Sequence, residues 1–175
     1  MSRGPERDAA ATIRLMTAAD ADAVLAIYAE GIATGDATFE TRAPDWPTFD
    51  AGHRPFGRFV AEADGRVVGW VALAPYSARA VYAGVAWESV YVTAAAQGRG
   101  VGLALLQAAV AASEAAGVWT LLAGVLAENA ASLAVHRRAG FRRVGVNRSI
   151  GRDAGGAWRD VVQLERRSRR VTAPD

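Results

Sequence analysis

The stretch from Val90 to Gly117 leaves the chain few architectures. Val90-Tyr91-Val92 is a β-branched and aromatic run, and Gly98-Arg99-Gly100-Val101-Gly102 sets three glycines at alternate positions. An alanine- and leucine-rich segment then runs to Ala116 and stops at Gly117. That order describes a strand feeding through a tight turn into a long helix closed by a C-terminal glycine. Glycines without a Cβ let another backbone or a ligand approach closely, and the first N–H groups of a helix have no internal acceptor. Together with the partial positive charge of the helix terminus, such a turn suits a phosphate, and Arg99 adds a cation nearby.

Three phosphate-binding patterns compete for this segment. The P-loop pattern needs a lysine after its second glycine, and all 20 basic residues here are arginine. The dinucleotide fingerprint needs its third glycine three residues after the second, whereas Gly98, Gly100 and Gly102 alternate. What fits is Gln-x-x-Gly-x-Gly at Gln97, Gly100 and Gly102. On this segment alone, a turn that merely lets helix and strand pack closely explains the glycines equally well.

The rest of the pattern builds a sheet around that unit. Thr12 to Leu15 alternates as a short strand, and Asp20 opens a helix through Ile27 and Tyr28. Arg58 to Glu62 and Arg66 to Leu73 flank Asp64-Gly65 as a hairpin. Trp87 to Val92, Trp119 to Leu126, Phe141 to Val146 and Trp158 to Leu164 are further strands, and Asn129 to Ala139 is a helix ended by Gly140. The order β-α-β-β-β-α-β-α-β-β predicts an α/β (α+β) fold. Its mixed sheet is antiparallel where the hairpin lies, partly parallel beyond it, and covered by helices.

Length and composition narrow the chemistry. A chain of 175 residues makes about one domain. With no cysteine, a disulfide scaffold, a thiolate metal site and a cysteine nucleophile are excluded. Two histidines, His53 and His136, are too few for most histidine-built metal centres, so no metal is expected. The net charge of +2 is the remainder of 20 basic and 18 acidic residues. No basic stripe with interleaved aromatics appears, which argues against a nucleic-acid partner. An apolar run of about 20 residues is absent, and so is the shorter one of a secretory signal, so no membrane span and a cytoplasmic location are expected. Residues 12–165 read as a single domain, between a mobile segment at 1–11 and a mobile arginine-rich tail at 166–175.

Several separated motifs, in this order, make the chain resemble the GCN5-related N-acetyltransferases (GNAT), and among them the phosphinothricin and methionine sulfoximine acetyltransferases. They are Ala37-Thr38-Phe39-Glu40-Thr41, the segment Ala74 to Tyr82, Ser89-Val90-Tyr91-Val92, and Gln97 to Gly102. Glu128-Asn129-Ala130-Ala131-Ser132-Leu133, His136 to Phe141, and Gly156-Ala157-Trp158-Arg159-Asp160 complete the set. The resemblance implies a GNAT-like fold, acetyl-CoA as cosubstrate, a small amine as acceptor and a homodimer. It places the pyrophosphate on the backbone of Gln97, Gly98, Arg99, Gly100, Val101 and Gly102. It puts the pantetheine arm along Val90, Tyr91 and Val92, with a contact to Asn129, which on its own reads as a helix N-cap. It gives His136 a place beside the thioester, as base or as proton donor, and lines the acceptor pocket with Phe39, Tyr76, Arg79 and Tyr82.

The chain departs from that pattern at one position. Counted from Tyr82, the glutamate of the phosphinothricin enzymes falls on Trp87, and Glu88 follows one residue later. Strand side chains alternate faces, so the offset turns Glu88 away from the acceptor site unless a bulge re-aims it. Trp87 then stands on the substrate side, and Glu88 serves as the catalytic acid–base partner only if it comes within hydrogen-bond reach. The phosphinothricin enzymes also carry a lysine two residues before the arginine at Arg79, where Ser77 stands here. His53, in a polar, proline-flanked segment, reads as a surface residue. The expected activity is acetylation of the amine of a small amino-acid analogue. The alternatives are another small amine, a protein N-terminus, or a CoA-binding module with weakened catalysis.

Overall fold

The computed structural model describes residues 11–172. Seven strands form one sheet in the order β1-β2-β3-β4-β5-β7-β6. They are β1 (Thr12–Leu15), β2 (Phe59–Ala63), β3 (Arg66–Pro75), β4 (Val85–Val92), β5 (Thr120–Leu126), β6 (Arg142–Arg152) and β7 (Trp158–Arg167). Four helices cover the sheet: α1 (Ala21–Ala33), α2 (Trp46–Gly52), α3 (Val101–Ala115) and α4 (Ala130–Arg138). Only β4 and β5 pair in parallel, joined through α3, and every other neighbouring pair is antiparallel. The mixed sheet expected from the sequence is therefore present.

Alternation along β3 shows how the two layers are held. Val71 and Leu73 face a core with Leu105 and Leu106 of α3, while Trp70 and Ala72 face a second core with Val24 and Ile27 of α1 and Phe49 of α2. A strand buried on both faces has to be apolar at successive positions, as this one is. Asp64 and Gly65 both take positive φ (51° and 70°), as a two-residue hairpin turn of this kind requires.

Two elements differ from the sequence reading. Helix α2 lies between the first helix and the hairpin, where the sequence reading placed no element. Asp45 accepts from the Thr48 N–H and Pro47 stands in the first turn, an N-terminal signature obscured by the short length and by Gly52. His53 is accordingly not a free surface residue. It closes α2 half-buried, its ring 4.2 Å from Phe49 and its Nδ1 donating to the Phe49 carbonyl at 2.6 Å. Burial lowers its pKa. At the other end, β7 takes in Arg166 and Arg167, which had been assigned to the tail. Arg166 pairs with Glu114, and the Ser168 N–H donates to the Trp119 carbonyl at 2.8 Å. The segment at 1–10 and residues 173–175 lie outside the described residues. Among the described residues no helix is long and apolar enough to cross a membrane.

Candidate active site

The parallel ladder between β4 and β5 ends at Trp87 and Leu122, although β4 runs on to Val92 and β5 to Leu126. Past that point the two strands separate, and a cleft of about 1130 Å³ opens between them. Glu88, Ser89, Val90, Tyr91 and Val92 line it from one strand, and Ala123 to Leu126 from the other. Residues 88–92 thus have a β3 partner on one edge and no strand on the edge that faces the cleft. An extended ligand with amide groups can pair there as a further strand would.

The glycine turn closes one end of this cleft. Gly98 and Gly100 have φ of 75° and 82°, conformations that L side chains rarely adopt, and no atom lies within 4 Å of a Cβ built on either. Gly100 is the N-cap residue of α3, so the helix begins with its N–H groups turned toward the open side. Gln97, Gly98, Gly100, Val101 and Gly102 line the cleft, and Gln97 Nε2 donates to the Val92 carbonyl at 3.4 Å. Arg99 is exposed and is not among the lining residues. The open cradle and the helix terminus fit a pyrophosphate, and the strand edge beside them fits a pantetheine arm.

On the floor of the cleft stand Glu88 and His136. The β3–β4 register is continuous from Gly69–Val92 to Pro75–Ala86, without a bulge. Alternation alone sends Ala86, Glu88, Val90 and Val92 to the face carrying α3 and α4, and Trp87 and Tyr91 to the other. The expectation that Glu88 needs a bulge to face the site is therefore corrected. His136 comes from α4 on that same face, so the regular register brings the two together. Glu88 Oε1 is 2.5 Å from His136 Nε2, and the residues are 7% and 2% exposed. His136 Nδ1 is 2.7 Å from the Ser132 carbonyl, which can only accept, so Nδ1 carries a proton. A second proton must then lie between Nε2 and the carboxylate. Burial by itself would lower the His136 pKa. The Glu88 charge and hydrogen bond, with the Ser132 carbonyl, more than offset it and leave the pKa raised. Glu88 Oε2 is buried with no hydrogen-bond partner among the described residues.

Asn129 is the N-cap of α4, as its own residue type implied, with Oδ1 accepting from the Ser132 N–H at 3.0 Å. Its Nδ2 donates to the Asp36 carbonyl at 3.0 Å, and the residue lines the cleft. Tyr91 turns to the α1 side, where it stacks on Trp70 at 4.8 Å and meets Tyr28 at 4.9 Å. Burial holds its phenol well above the usual range. Phe39 lines the cleft as expected. Tyr76, Arg79, Tyr82 and Trp87 do not line it, which corrects their place in the same chain's acceptor pocket. They form a separate cluster, with Tyr76 against Tyr82 at 5.1 Å, Tyr76 against Trp87 at 5.9 Å and the Arg79 guanidinium over Tyr82 at 5.6 Å. Trp87 still pairs with Leu122, before the two strands part, and the others lie past the end of β3. Sequence reasoning missed Ser132, which fixes the imidazole, and Tyr28 and Gly31, which line the α1 side of the cleft. The four-residue spacing of Ser132 and His136 on one helix was the available signal for the first.

A strand pair opened beside a glycine-rich helix start, with an acid–histidine pair between, defines an acyl-transfer enzyme of one family. Residues 25–141 match the acetyltransferase (GNAT) family, and the chain belongs to it. It is 36% identical over 167 residues to the phosphinothricin N-acetyltransferase of Alcaligenes faecalis, covering 90% of this chain and 82% of that one. To the L-methionine sulfoximine/L-methionine sulfone acetyltransferase of Pseudomonas paraeruginosa it is 30% identical over 161 residues, 89% and 93% of the two chains. The crystal structure of a phosphinothricin acetyltransferase from Sinorhizobium meliloti in complex with acetyl-CoA superposes with a TM-score of 0.84 at 28% identity. It covers 95% of this chain and 92% of that one.

Proposed function

We propose that this enzyme transfers the acetyl group of acetyl-CoA to the amine of a small amino-acid analogue of the phosphinothricin or methionine sulfoximine type. The observation that carries this reading is the buried Glu88–His136 pair on the floor of the opened β4–β5 cleft, beside the cradle from Gln97 to Gly102. Bound acetyl-CoA supplies an activated thioester carbonyl. The protein's part is to hold it, neutralise the incoming ammonium and return a proton to the departing sulfur.

The first-turn N–H groups of α3 hold the pyrophosphate, and the free edge of Val90, Tyr91 and Val92 holds the pantetheine arm next to Asn129. A backbone N–H of that edge meets the carbonyl oxygen, a donor of a kind typically worth about 10²–10³ in rate. The carboxylate of Glu88 raises the pKa of His136 and so favours its protonated form, which makes it the proton donor of the pair. Glu88 Oε2 is the unpartnered acceptor, for the ammonium proton directly or through a water.

Arg79, Tyr76, Tyr82 and Trp87 are outside the cleft of their own chain, yet Arg79 offers a fork suited to the acceptor's carboxylate. Their part in acceptor binding calls for a second copy, and we assign them to a homodimer in which they reach the partner's cleft. The enzyme acts in the cytoplasm, needs no metal and takes no nucleic-acid partner. Thiol release with acetyl-CoA and an amine panel tests the whole reading. Methionine sulfoximine or phosphinothricin should react faster than arylamines and peptides, and a preference for the latter overturns the acceptor assignment.

A further inference from the structure

Arg159 belongs to a sequence motif for which the chemistry above has no use, and it is the most heavily paired arginine of the site region. Its side chain is 14% exposed, and its guanidinium meets three carboxylates, Asp36 at 2.8 Å, Glu128 at 3.2 Å and Asp153 at 3.2 Å. It also donates to the Gly35 carbonyl at 3.3 Å. Asp36 and Gly35 belong to the loop at 34–40 that leaves α1, Glu128 lies in the turn into α4, and Asp153 follows the end of β6. One side chain therefore ties three segments around the rim of the cleft.

The residue facing Arg159 across the β6–β7 ladder is Gly151. Directly opposed residues of an antiparallel pair project to the same face. On that face Gly151 lies under Phe39, where an added Cβ would stand 2.8 Å from Phe39 Cζ and 3.0 Å from Cε1. One rung of the ladder thus receives the loop twice. Arg159 pins its start through Asp36, and the missing side chain of Gly151 leaves room for Phe39 three residues later. Between these points Asn129 Nδ2 donates to the Asp36 carbonyl, and the Thr38 hydroxyl accepts from the Glu40 N–H.

We propose that the Gly151–Arg159 rung sets the acceptor specificity of the enzyme. Arg159 is a positioning residue that latches the 34–40 loop, and Gly151 fixes how far the Phe39 ring stands into the cleft. The ligand class is the acceptor's side chain, whose aliphatic stem meets Phe39, Ile150 and Val161 at this end of the cleft. This inference rests on the acceptor reading above for its kinetic consequence, whereas the latch itself does not depend on any substrate.

Two measurements separate the two. Trypsin cleavage after exposed Arg42, just beyond the loop, is followed by fragment mass for wild type, Arg159→Ala and Asp36→Asn, with Arg143→Ala as an exposed-arginine control. Releasing the latch should speed this cut by about 5-fold or more, since local opening governs proteolysis, with the control unchanged. Asp36→Asn removes one partner at a half-exposed position and keeps the test open if Arg159→Ala fails to fold. In steady-state kinetics the same variants should raise the acceptor KM by about 5-fold or more and leave the acetyl-CoA KM within about 2-fold. Gly151→Ala should shift preference toward shorter acceptor side chains, and Phe39→Leu in the same chain should restore the original order. Unchanged cleavage at Arg42, equal rises in both KM values, or no restoration by Phe39→Leu overturns the proposal. A wild type inert toward every amine overturns the acceptor reading instead, and the trypsin result then decides the latch.

Discussion

Glu88 and His136, 48 residues apart in the chain, meet through Oε1 and Nε2 at 2.5 Å with both side chains buried. The Ser132 carbonyl occupies the other ring nitrogen, so the imidazole has one orientation and one available edge. Breaking a buried charged pair strands the remaining member, and here that member is also the proton carrier.

His136→Ala should lower kcat by about 10-fold or more, within the roughly 10²–10⁴ that acid–base groups contribute. Glu88→Gln should be of comparable size, because it removes both the Nε2 partner and the free carboxylate oxygen. The check is kcat against pH for the wild type and both variants, with folding confirmed by circular dichroism. Wild-type rate and pH profile in His136→Ala would assign the histidine to packing against Phe141, its T-shaped neighbour at 5.1 Å.

The same pair makes stability depend on pH. The folded pKa of His136 is raised above its ordinary 6.5, so the folded state holds the proton more tightly than the unfolded chain. That contribution is complete below pH 6.5 and is lost as pH rises through the folded pKa. Urea midpoints for the wild type should fall across that interval. In Glu88→Gln the fall should vanish, because without the carboxylate only the Ser132 carbonyl opposes burial, which is the largest influence on the imidazole and disfavours its charge. Parallel slopes in the two proteins would show that the proton is not held by Glu88.

Much of this was legible in the sequence because local rules decide it. The β-α-β unit around Gly98 to Gly102, the Asp64-Gly65 hairpin and the Asn129 cap are each fixed by a few adjacent residues. What was not legible depends on which face a helix covers. Alternation separates Trp87 from Glu88, but only the position of α4 tells which face carries the chemistry. The resemblance drew attention to the Trp87 position, whereas the structure gives the partner of His136 to its neighbour. The latch made by Arg159 was likewise unreadable, since two of its three partners, Asp36 and Glu128, are distant in sequence.

Packing between α1 and β4 yields a stability prediction. A Cβ on Gly31 would lie 2.5 Å from Tyr91 Cδ1 and 2.7 Å from Cε1, closer than real contacts allow. Those atoms belong to a ring stacked on Trp70 and tilted against Tyr28, so it cannot simply swing aside. Alanine gains about 1 kcal/mol over glycine in a helix interior, against about 1–3 kcal/mol for overpacking. Gly31→Ala should therefore be destabilising by about 1 kcal/mol, read from urea denaturation. A variant more stable than wild type would mean that α1 moves freely over Tyr91.

The cradle is tested most cleanly at Gly102. Gly100 has φ 82°, so any side chain there strains the backbone as well as filling the anion site. Gly102 lies in the first turn of α3 without a left-handed φ, and a Cβ there meets only Val135 and Val92 methyls at ordinary contact, 3.7 Å. Gly102→Ala should accordingly fold, gain helix propensity and bind acetyl-CoA with little change. Gly102→Asp places a carboxylate at the helix start, where it satisfies the N–H groups and complements the dipole in the free protein. It then competes with the pyrophosphate for those same groups and repels it. The expected result is a KM for acetyl-CoA raised by about 10-fold or more, with the acceptor KM nearly constant and no loss of thermal stability. The Ala–Asp comparison, made by steady-state kinetics and acetyl-CoA titration calorimetry, separates size from charge. Equal acetyl-CoA affinity in both variants would remove the pyrophosphate from this turn.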